Sequence, residues 1–497
     1  MTQLKSATRR AALAMAVFAL AGCAVGPNFR VPAAPAVDRY TAAPLPTSTV
    51  AADTAGGDAQ RFLEGRNVPE RWWTTFDNAE LDRRVRTAFE HSPTIASAQA
   101  ALRQAEENAK AAGGALFPTL DANAGVTRSK QSAASSGTGT RVGPFNVFNA
   151  GVSVGYVFDI FGGVRRGIEA QRAQADFQRA QLDATYLILA ANVVTASLQE
   201  ASLREQVYAT EQIVGSLQQE LDIAQKQQAI GAKSLSDTLA VRSQLAVTQA
   251  TLPPLRKQLA VTQNQLATYL GVTPAQLELQ PVTLDQVKLP QDVPVSLPSA
   301  LVAQRPDIRA ASAQLHSATA QVGVSIANML PQITLSGSAG SAALKGGDLF
   351  SAGTGSWSIG LGLLQPLFHG GELLHKKRAA QAGMDEALAD WQQAVLTAFQ
   401  NVADSLQALQ YDADSLKVQN TAERDADKLL ELTRAQYRVG AVNYINLLSA
   451  EQQYQQARIA LIQARTSRLA DTAALYAALG GGWNGADSKV ATTETNP

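Results

Sequence analysis

Four stretches of the chain alternate apolar and small polar residues with a period of two. They form two pairs, residues 120–126 with 148–158 and residues 333–340 with 356–363, and a Gly- and Ser-rich loop separates the members of each pair. Alternation with one apolar face is the pattern of a half-buried β-strand. The sequence therefore predicts two β-hairpins that supply four strands.

Two settings produce such strands: a soluble sheet with one wet face, or an outer-membrane barrel with lipid outside and water inside. The Ser and Gly residues on the second face suit a water-filled interior. Four strands are too few to close a barrel, and a sheet edge is not tolerated in hydrocarbon because its backbone groups find no partner there. If the strands cross a membrane, several copies of the chain must share one barrel.

Two long segments have the composition of continuous helices. Residues 168–228 contain no proline and a single glycine, Gly215, and residues 372–438 contain no proline. Helices of this length reach roughly 90 Å, too long for one globular core, so they are expected to pack side by side as a coiled coil or tube. After turns at Gly231 and Gly440 the chain is predicted to return as two further helices. Pro253-Pro254 is expected to break or kink the first of these, because proline removes a helical donor.

The chain also repeats itself. Pro93 and Pro306 lie in similar stretches 213 residues apart, and Gly231 and Gly440 lie in similar turns 209 residues apart. Offsets that drift by only a few residues indicate one duplicated unit with small loop insertions. Each copy is predicted to run helix, hairpin, long helix, turn, helix.

The N-terminus has the pattern of an export signal. Lys5, Arg9 and Arg10 precede an apolar run over residues 11–20, which is shorter than the roughly 20 residues that a membrane-spanning helix needs. The run ends at "LAGC", which resembles the lipobox of bacterial lipoproteins, and Cys23 is the only cysteine of the chain. Cys23 is therefore predicted to be lipidated and to begin the mature chain, and its being alone excludes disulfides within the chain and Cys-based metal sites.

Composition excludes further classes of function. Lys plus Arg and Asp plus Glu number 42 each, and charged residues make up 17% of the chain, so nothing favours nucleic acid as a partner. His369, Glu372 and His375 lie close in sequence, but Gly162-Gly163, which match Gly370-Gly371 in the other half, have no histidine beside them. We therefore predict no metal site, no cofactor and no enzymatic activity; nucleotide-binding and catalytic motifs are also missing from the sequence.

Six stretches together resemble the outer membrane factor family, the TolC-like channels, and within it the lipoprotein branch of tripartite efflux systems. They occur in family order from residue 23 to residue 454 and read "CAVGPNFRVP", "WWTTFDNAELD", "GYVFDIFGGVRRGIEA", "LPPLRKQLA", "LPSALVAQRPDIRAA" and "QYRVGAVNYINLLSAEQQY". The resemblance implies an α+β membrane protein in which long antiparallel helices form a periplasmic α-barrel. That barrel would be continuous with an outer-membrane β-barrel to which each chain of a homotrimer gives four strands.

The resemblance also implies a function and partners. The trimer would be a passive conduit that carries small molecules, and its partners would be a periplasmic membrane-fusion (adaptor) protein, an inner-membrane transporter of the resistance-nodulation-division type and outer-membrane lipid. Protein secretion and metal-ion efflux use the same architecture and stay open as alternatives. So does a non-channel periplasmic scaffold lipoprotein, whose hairpins would form a small soluble sheet.

In the family the two turns form the periplasmic mouth, which is closed at rest. The implied adaptor-facing residues are those of the two turns, Ile230, Gly231, Ala232, Lys233, Val439, Gly440, Ala441 and Val442. Some members carry a pair of aspartates after the second turn, where this chain has Asn446 and Ser449, and an arginine where it has Val442. Tyr437 matches a tyrosine of the closed state, and Asp237 is the counterpart of Asn446 in the first half. Asp237, Tyr437, Asn446 and Ser449 are the candidate gating residues, and a simple helix-capping role for Asp237 is an equal alternative.

These observations divide the chain into six segments. They are a lipoprotein signal peptide (1–22), a lipidated Pro- and Ala-rich tether (23–65), a first repeat (66–271) with its hairpin near 119–158, a Pro-rich linker (272–298), a second repeat (299–480) with its hairpin near 332–364, and a disordered tail (481–497).

Overall fold

The computed structural model of the protein describes residues 24–131 and 142–482. The predicted signal peptide, the predicted lipidation site Cys23 and residues 483–497 of the predicted tail lie outside the described residues. The helices of the described ranges are α1 (Ala79–His91), α2 (Pro93–Gly113), α3 (Gly163–Ala229), α4 (Leu235–Tyr269), α5 (Pro298–Gln304), α6 (Pro306–Ala327), α7 (Glu372–Arg438) and α8 (Tyr444–Ala478). The strands are β1 (Arg61–Glu64), β2 (Thr119–Gln131), β3 (Val142–Phe158), β4 (Asp292–Val295), β5 (Gln332–Ala343) and β6 (Gly355–Leu364).

Both halves of the chain build the same series of elements. The long helices α3 and α7 have 67 residues each, and the return helices α4 and α8 have 35 residues each. The chain forms two compact units, and each unit takes matching segments from both halves. One unit contains Leu102–Gln178 and Ala311–Trp391, and the other contains Arg179–Ala310 and the chain from Gln392. The duplication seen in the sequence therefore recurs inside each unit.

In the first unit, β2, β3, β5 and β6 form one antiparallel sheet in that order. β3 pairs with β5 across the two halves, with Val152 opposite Ala339. The prediction of four strands in two hairpins is confirmed.

One face of this sheet is apolar and uncovered in the single chain. Trp357, Ile359 and Leu361 of β6 are 71 to 77% exposed. The other face carries small polar groups, and the hydroxyls of Ser338 and Ser358 lie 2.8 Å apart across the strand pair. Side chains alternate between the two faces of a strand, so the period-two pattern gives this sheet one apolar and one polar face.

The first unit also holds the beginning of the described chain. Phe29 stacks on His316 with the ring centroids 4.4 Å apart, and Arg166 Nη2 donates to Asn28 Oδ1 at 2.5 Å. His316 Nε2 in turn lies 2.9 Å from Glu169 Oε1. The stretch after Cys23 therefore has defined contacts with α3 and α6.

In the second unit the Pro- and Ala-rich segment continues into a small parallel sheet. β1 pairs with β4, with Phe62 opposite Val293. Before β1 the segment lies on α8, where the buried Arg468 donates to Thr49 Oγ1 at 3.0 Å and to the Asp58 carbonyl at 2.6 Å. The composition of this segment predicts a tether, and the hydrogen bonds to its backbone are what hold it against the helices.

Helix α4 is not interrupted at Pro253 and Pro254. Of the predicted break or kink, the break is wrong, and the reason is local. A proline leaves the carbonyl four residues earlier without its donor, and these carbonyls belong to the exposed residues Gln249 and Ala250. Water can satisfy them, so the helix continues.

Candidate functional site

The turns that join the long helices to the return helices have identical backbone structure in the two halves. Gly231 N–H donates to Gln228 O at 2.9 Å and Ala232 N–H to Gln227 O at 2.8 Å, while Gly440 and Ala441 donate in the same way to Tyr437 and Gln436. This is a Schellman motif, whose glycine takes a left-handed conformation. Gly231 and Gly440 both have φ of +76°. The repeated "G-A" in the sequence is explained by this turn.

The return helices begin with side-chain caps. Ser234 Oγ accepts from Asp237 N–H at 3.1 Å, and the Asp237 carboxylate accepts from the Ser234 backbone N–H at 3.4 Å, which forms a capping box. The Ser234 hydroxyl also donates to this carboxylate at 2.8 Å. In the second half, Asn443 Oδ1 accepts from Asn446 N–H at 3.1 Å. Asp237 and Asn446 are therefore equivalent third residues of their helices. The structure gives Asp237 the capping geometry that was the alternative to gating.

The outermost residues of both turns are exposed. Ile230 and Val439 are each 80% exposed. Gly231, Ala232, Gly440 and Ala441 are also exposed, whereas Lys233 and Val442 are partly buried. Ser449, one turn into α8, is exposed as well, and its hydroxyl accepts from Gln453 Nε2 at 3.4 Å.

Lys233 links the two helical hairpins, α3/α4 and α7/α8. Its Nζ lies 4.8 Å from the centroid of the Tyr437 ring and 5.1 Å from that of Tyr444. The two rings meet edge to face with centroids 5.8 Å apart. An ammonium over aromatic faces is attracted by their electron density. Lys233 of the first hairpin therefore binds aromatic residues from both helices of the second.

An ion pair and a further carboxyl group lie near the Tyr444 ring. Arg434 Nη2 of α7 pairs with Glu451 Oε1 of α8 at 3.1 Å, and Glu451 is only 4% exposed. The Glu220 carboxyl of α3 lies within hydrogen-bonding reach of Glu451. Burial, and then the adjacent Glu451 carboxyl, raise the pKa of Glu220 to about 8. Burial and the nearby carboxylates also raise the pKa of the Tyr444 hydroxyl.

An apolar core supports this end of the second unit. It includes Leu217 and Leu221 of α3, Val241 and Leu245 of α4, and Leu447 of α8, all 6% exposed or less. Leu430 of α7 completes the contact of four helices. The polar residues at this end thus lie on a packed support, which fixes their positions relative to one another.

The structure brings together some of the predicted residues and adds others. Lys233 and Tyr437 are in direct contact, whereas Asp237, Asn446 and Ser449 lie at the starts of their own helices. We call Glu220, Lys233, Arg434, Tyr437, Tyr444 and Glu451 the tip cluster. Within it, Glu220, Arg434, Tyr444 and Glu451 have no recognisable signal in the sequence, because a charged residue in a long polar helix looks the same whether it faces water or a neighbouring helix.

The tip cluster contains an ion pair and a cation over two aromatic rings, contacts that hold neighbouring helices together. Across the part of the chain that the structure describes, no group of three or more His, Cys, Asp or Glu side chains could hold a metal ion. Within the same ranges, every helix is too polar or too short to span a lipid bilayer.

Comparison with known proteins identifies the family. The model of the outer membrane efflux protein family matches residues 85–272 and 297–481, once in each half. The pyoverdine export outer membrane protein OpmQ of Pseudomonas aeruginosa is 31% identical over 421 residues, which cover 83% of this chain and 87% of that protein. The toluene efflux pump outer membrane protein TtgC of Pseudomonas putida is 27% identical, with 95% of each protein covered.

A solved structure shows the same fold. The outer-membrane channel OprN is 26% identical and superposes with a TM-score of 0.83 over 93% of this chain and 100% of that chain. The two matches of the family model also fall on the two halves that the repeat predicts. The chain belongs to the outer membrane efflux protein family.

Proposed function

We propose that this protein is the outer-membrane channel of a tripartite efflux pump and that it works as a passive homotrimeric conduit for small molecules. The observation that carries the proposal is the uncovered apolar face of the four-stranded sheet in a chain of the efflux family. Exposure of large apolar side chains to water is unfavourable, and Trp357 and Ile359 are both at least 75% exposed. Lipid would cover them.

The trimer is supported by the edges of the sheet. In the described residues β2 and β6 are its outer strands, and each pairs with a single neighbour. Hydrocarbon does not tolerate such edges, so the strands of several chains must join to close a barrel. With three copies, the barrel would have twelve strands, and the small polar face with Ser338 and Ser358 would line its water-filled interior.

The protein partners are proposed to reach the protein through its two turns. The exposed turns around Ile230 and Val439 would contact a periplasmic adaptor protein, which in turn would connect to an inner-membrane transporter of the resistance-nodulation-division type. Four residues near the turns would control the opening of this end: Tyr437, Asp237, Asn446 and Ser449. The contact of Lys233 with Tyr437 supports the role proposed for Tyr437 in closing this end.

Membrane attachment is proposed to have two sources. Cys23 would carry the lipid after removal of residues 1–22, residues 23–65 would connect it to the first repeat, and the barrel would supply the second attachment. The other predicted boundaries, with repeats over 66–271 and 299–480, a linker over 272–298 and a tail over 481–497, belong to the same proposal.

Small molecules are the favoured cargo because of what the relatives export. OpmQ is named for pyoverdine export and TtgC for toluene efflux. Both are small compared with a protein, so these relatives favour small-molecule efflux over protein secretion. Neither name points to metal ions as cargo.

Reconstitution tests the proposal. The purified protein should run as a heat-resistant trimer in detergent and conduct ions in planar lipid bilayers. A Cys23→Ser variant should lack the lipid, as mass spectrometry would show. It should still form conducting trimers, because the barrel does not need the lipid. A protein that stays monomeric and never conducts would point instead to the scaffold lipoprotein.

A further inference from the structure

Two carboxyl groups of the tip cluster lie close together, and the predicted gating residues do not account for this arrangement. Glu220 belongs to the first helical hairpin and Glu451 to the second, and the two carboxyl groups lie within hydrogen-bonding reach of each other. We propose that Glu220 and Glu451 share one proton, that this proton joins the two hairpins, and that its loss at alkaline pH lets the turns separate. The inference rests on the proposed channel function, because separation of the turns matters only if they close a pore.

The hydrogen-bonding geometry calls for a proton at this place. Oε2 of Glu220 and Oε2 of Glu451 are both buried, and among the described residues neither has a donor. Buried acceptors without a partner are costly. A single proton between two carboxyl groups supplies the missing donor, in the same way that two close carboxylates elsewhere share one proton because both cannot ionise together.

The other charged groups around the pair do not remove this need. Arg434 of α7 binds Glu451 through Oε1, and its charge also lowers the pKa of Glu220, but burial and the adjacent Glu451 carboxyl outweigh it. Lys233 lowers the pKa of Glu220 slightly by its charge, but its ammonium is placed over the rings of Tyr437 and Tyr444. Helix α4 presents uncharged side chains to this core, including Val241 and Leu245. The Tyr444 hydroxyl of α8 also faces both carboxyls, but it is buried and has no hydrogen-bond partner among the described residues. Two positive charges therefore face two carboxyls, and one of the positive charges is held at the rings.

The direction of the pH dependence follows from which state of the turns, joined or separated, binds the proton more tightly. Burial and the adjacent carboxyl raise the pKa of Glu220 to about 8 from its ordinary value of 4.5. Since the joined state binds the proton more tightly than the separated state, the link is complete below about pH 4.5 and is lost as the pH rises through about 8. For one linked proton, the ratio of separated to joined turns changes by at most about tenfold per pH unit.

The two hairpins have few other polar links at this end. Gln452 Nε2 of α8 donates to Gln244 Oε1 of α4 at 2.7 Å, and this bond does not titrate. The contact of Lys233 with the Tyr437 and Tyr444 rings is a further link between the hairpins. Loss of the shared proton would therefore weaken the joint without abolishing it, as is suitable for a channel that adaptor contact must still open.

The test uses the full-length trimer in planar bilayers between about pH 6 and about pH 9. Conductance of the wild type should rise with pH up to about pH 8, by up to about tenfold per pH unit at its steepest, and level off above it. The Glu220→Gln variant should conduct at the low level of the acidic wild type throughout, because its amide donates to Glu451 permanently. Glu431→Gln removes an exposed carboxylate of α7 and should follow the wild type.

A second measurement detects the proton itself. Difference infrared spectra of the wild type should show the carbonyl band of a protonated carboxyl disappear over the same pH range, and Glu220→Gln should lack that change. If the wild-type conductance is flat, or if Glu220→Gln keeps the pH response, the shared proton is wrong although the channel stands. If none of the three proteins conducts at any pH, the channel function itself is wrong.

Discussion

Lys233 Nζ lies 4.8 Å from the ring centroid of Tyr437, which joins the turn of one helical hairpin to the last turn of the other hairpin's long helix. The contact unites a residue predicted to face an adaptor with a residue predicted to help close the mouth. The proposed adaptor contact and the proposed closure of the mouth therefore involve two residues that touch each other.

Replacement of Lys233 by alanine should loosen the mouth. The cation over two aromatic rings contributes about 0.5 to 1 kcal/mol at an accessible site. Its loss should raise conductance in bilayers by a factor of about two to five, since this energy then no longer favours the closed state. Lys226→Ala removes an exposed lysine of α3, the helix that precedes this turn, and should leave conductance unchanged. Equal conductance in both variants would contradict a role for the contact.

Alanine at Gly440 should destabilise the second turn through the backbone alone. No heavy atom lies within 4 Å of a Cβ built at this glycine, but φ is +76°. The left-handed conformation costs an alanine about 1 to 2 kcal/mol. Thermal unfolding of Gly440→Ala should therefore begin at a lower temperature than that of the wild type.

Gly215→Ala is the matched control for that variant. Gly215 lies inside α3, and its added Cβ would also meet open space. Here alanine should stabilise the helix by about 0.5 to 1 kcal/mol, because glycine loses more freedom on folding. Opposite signs for the two variants are expected, and a shift of the same sign in both would refute the backbone explanation.

Replacement of Arg468 by alanine should release the segment before β1. The side chain is fully buried and donates to Thr49 Oγ1 and to the Asp58 carbonyl. The acceptors left unsatisfied should cost at least about 2 kcal/mol, and limited proteolysis should then cut between residues 49 and 58. Arg424, which pairs with Asp53 at the exposed surface, provides the control. Arg424→Ala should lower stability much less than Arg468→Ala does and leave proteolysis slow, because an exposed ion pair contributes little.

A second acidic pair should make stability depend on pH. Burial, and then Asp471 of α8, raise the pKa of Asp412 of α7 to about 7, and Arg468 partly opposes this. A raised folded-state pKa means that the stabilisation is complete below about pH 3.8 and is lost as the pH rises through about 7. The unfolding temperature should thus fall between about pH 4 and about pH 7, and Asp412→Asn should flatten this decline. An unchanged decline in that variant would assign the dependence to other groups.

Much of the fold could be predicted because it repeats simple periodic patterns. Alternation over residues 120–126 and 356–363 predicted strands that the sheet contains, and proline-free segments predicted α3 and α7. The same reasoning was wrong at Pro253-Pro254, since it did not consider that the freed carbonyls are exposed to water. Composition predicted a tether before β1, but no pattern showed that Arg468 holds the backbone of this segment.

The sequence by itself determined the period of each element, the turn glycines and the duplication, because these depend on neighbours a few residues away or on a repeat of the same letters. Only the tertiary structure decided which polar side chains meet. Glu220 and Glu451 are 231 residues apart in the chain, and Lys233 reaches Tyr437 and Tyr444 from the other half. A long polar helix gives no local sign of which charged residue faces its neighbour, since burial of a charge depends on how four helices pack together.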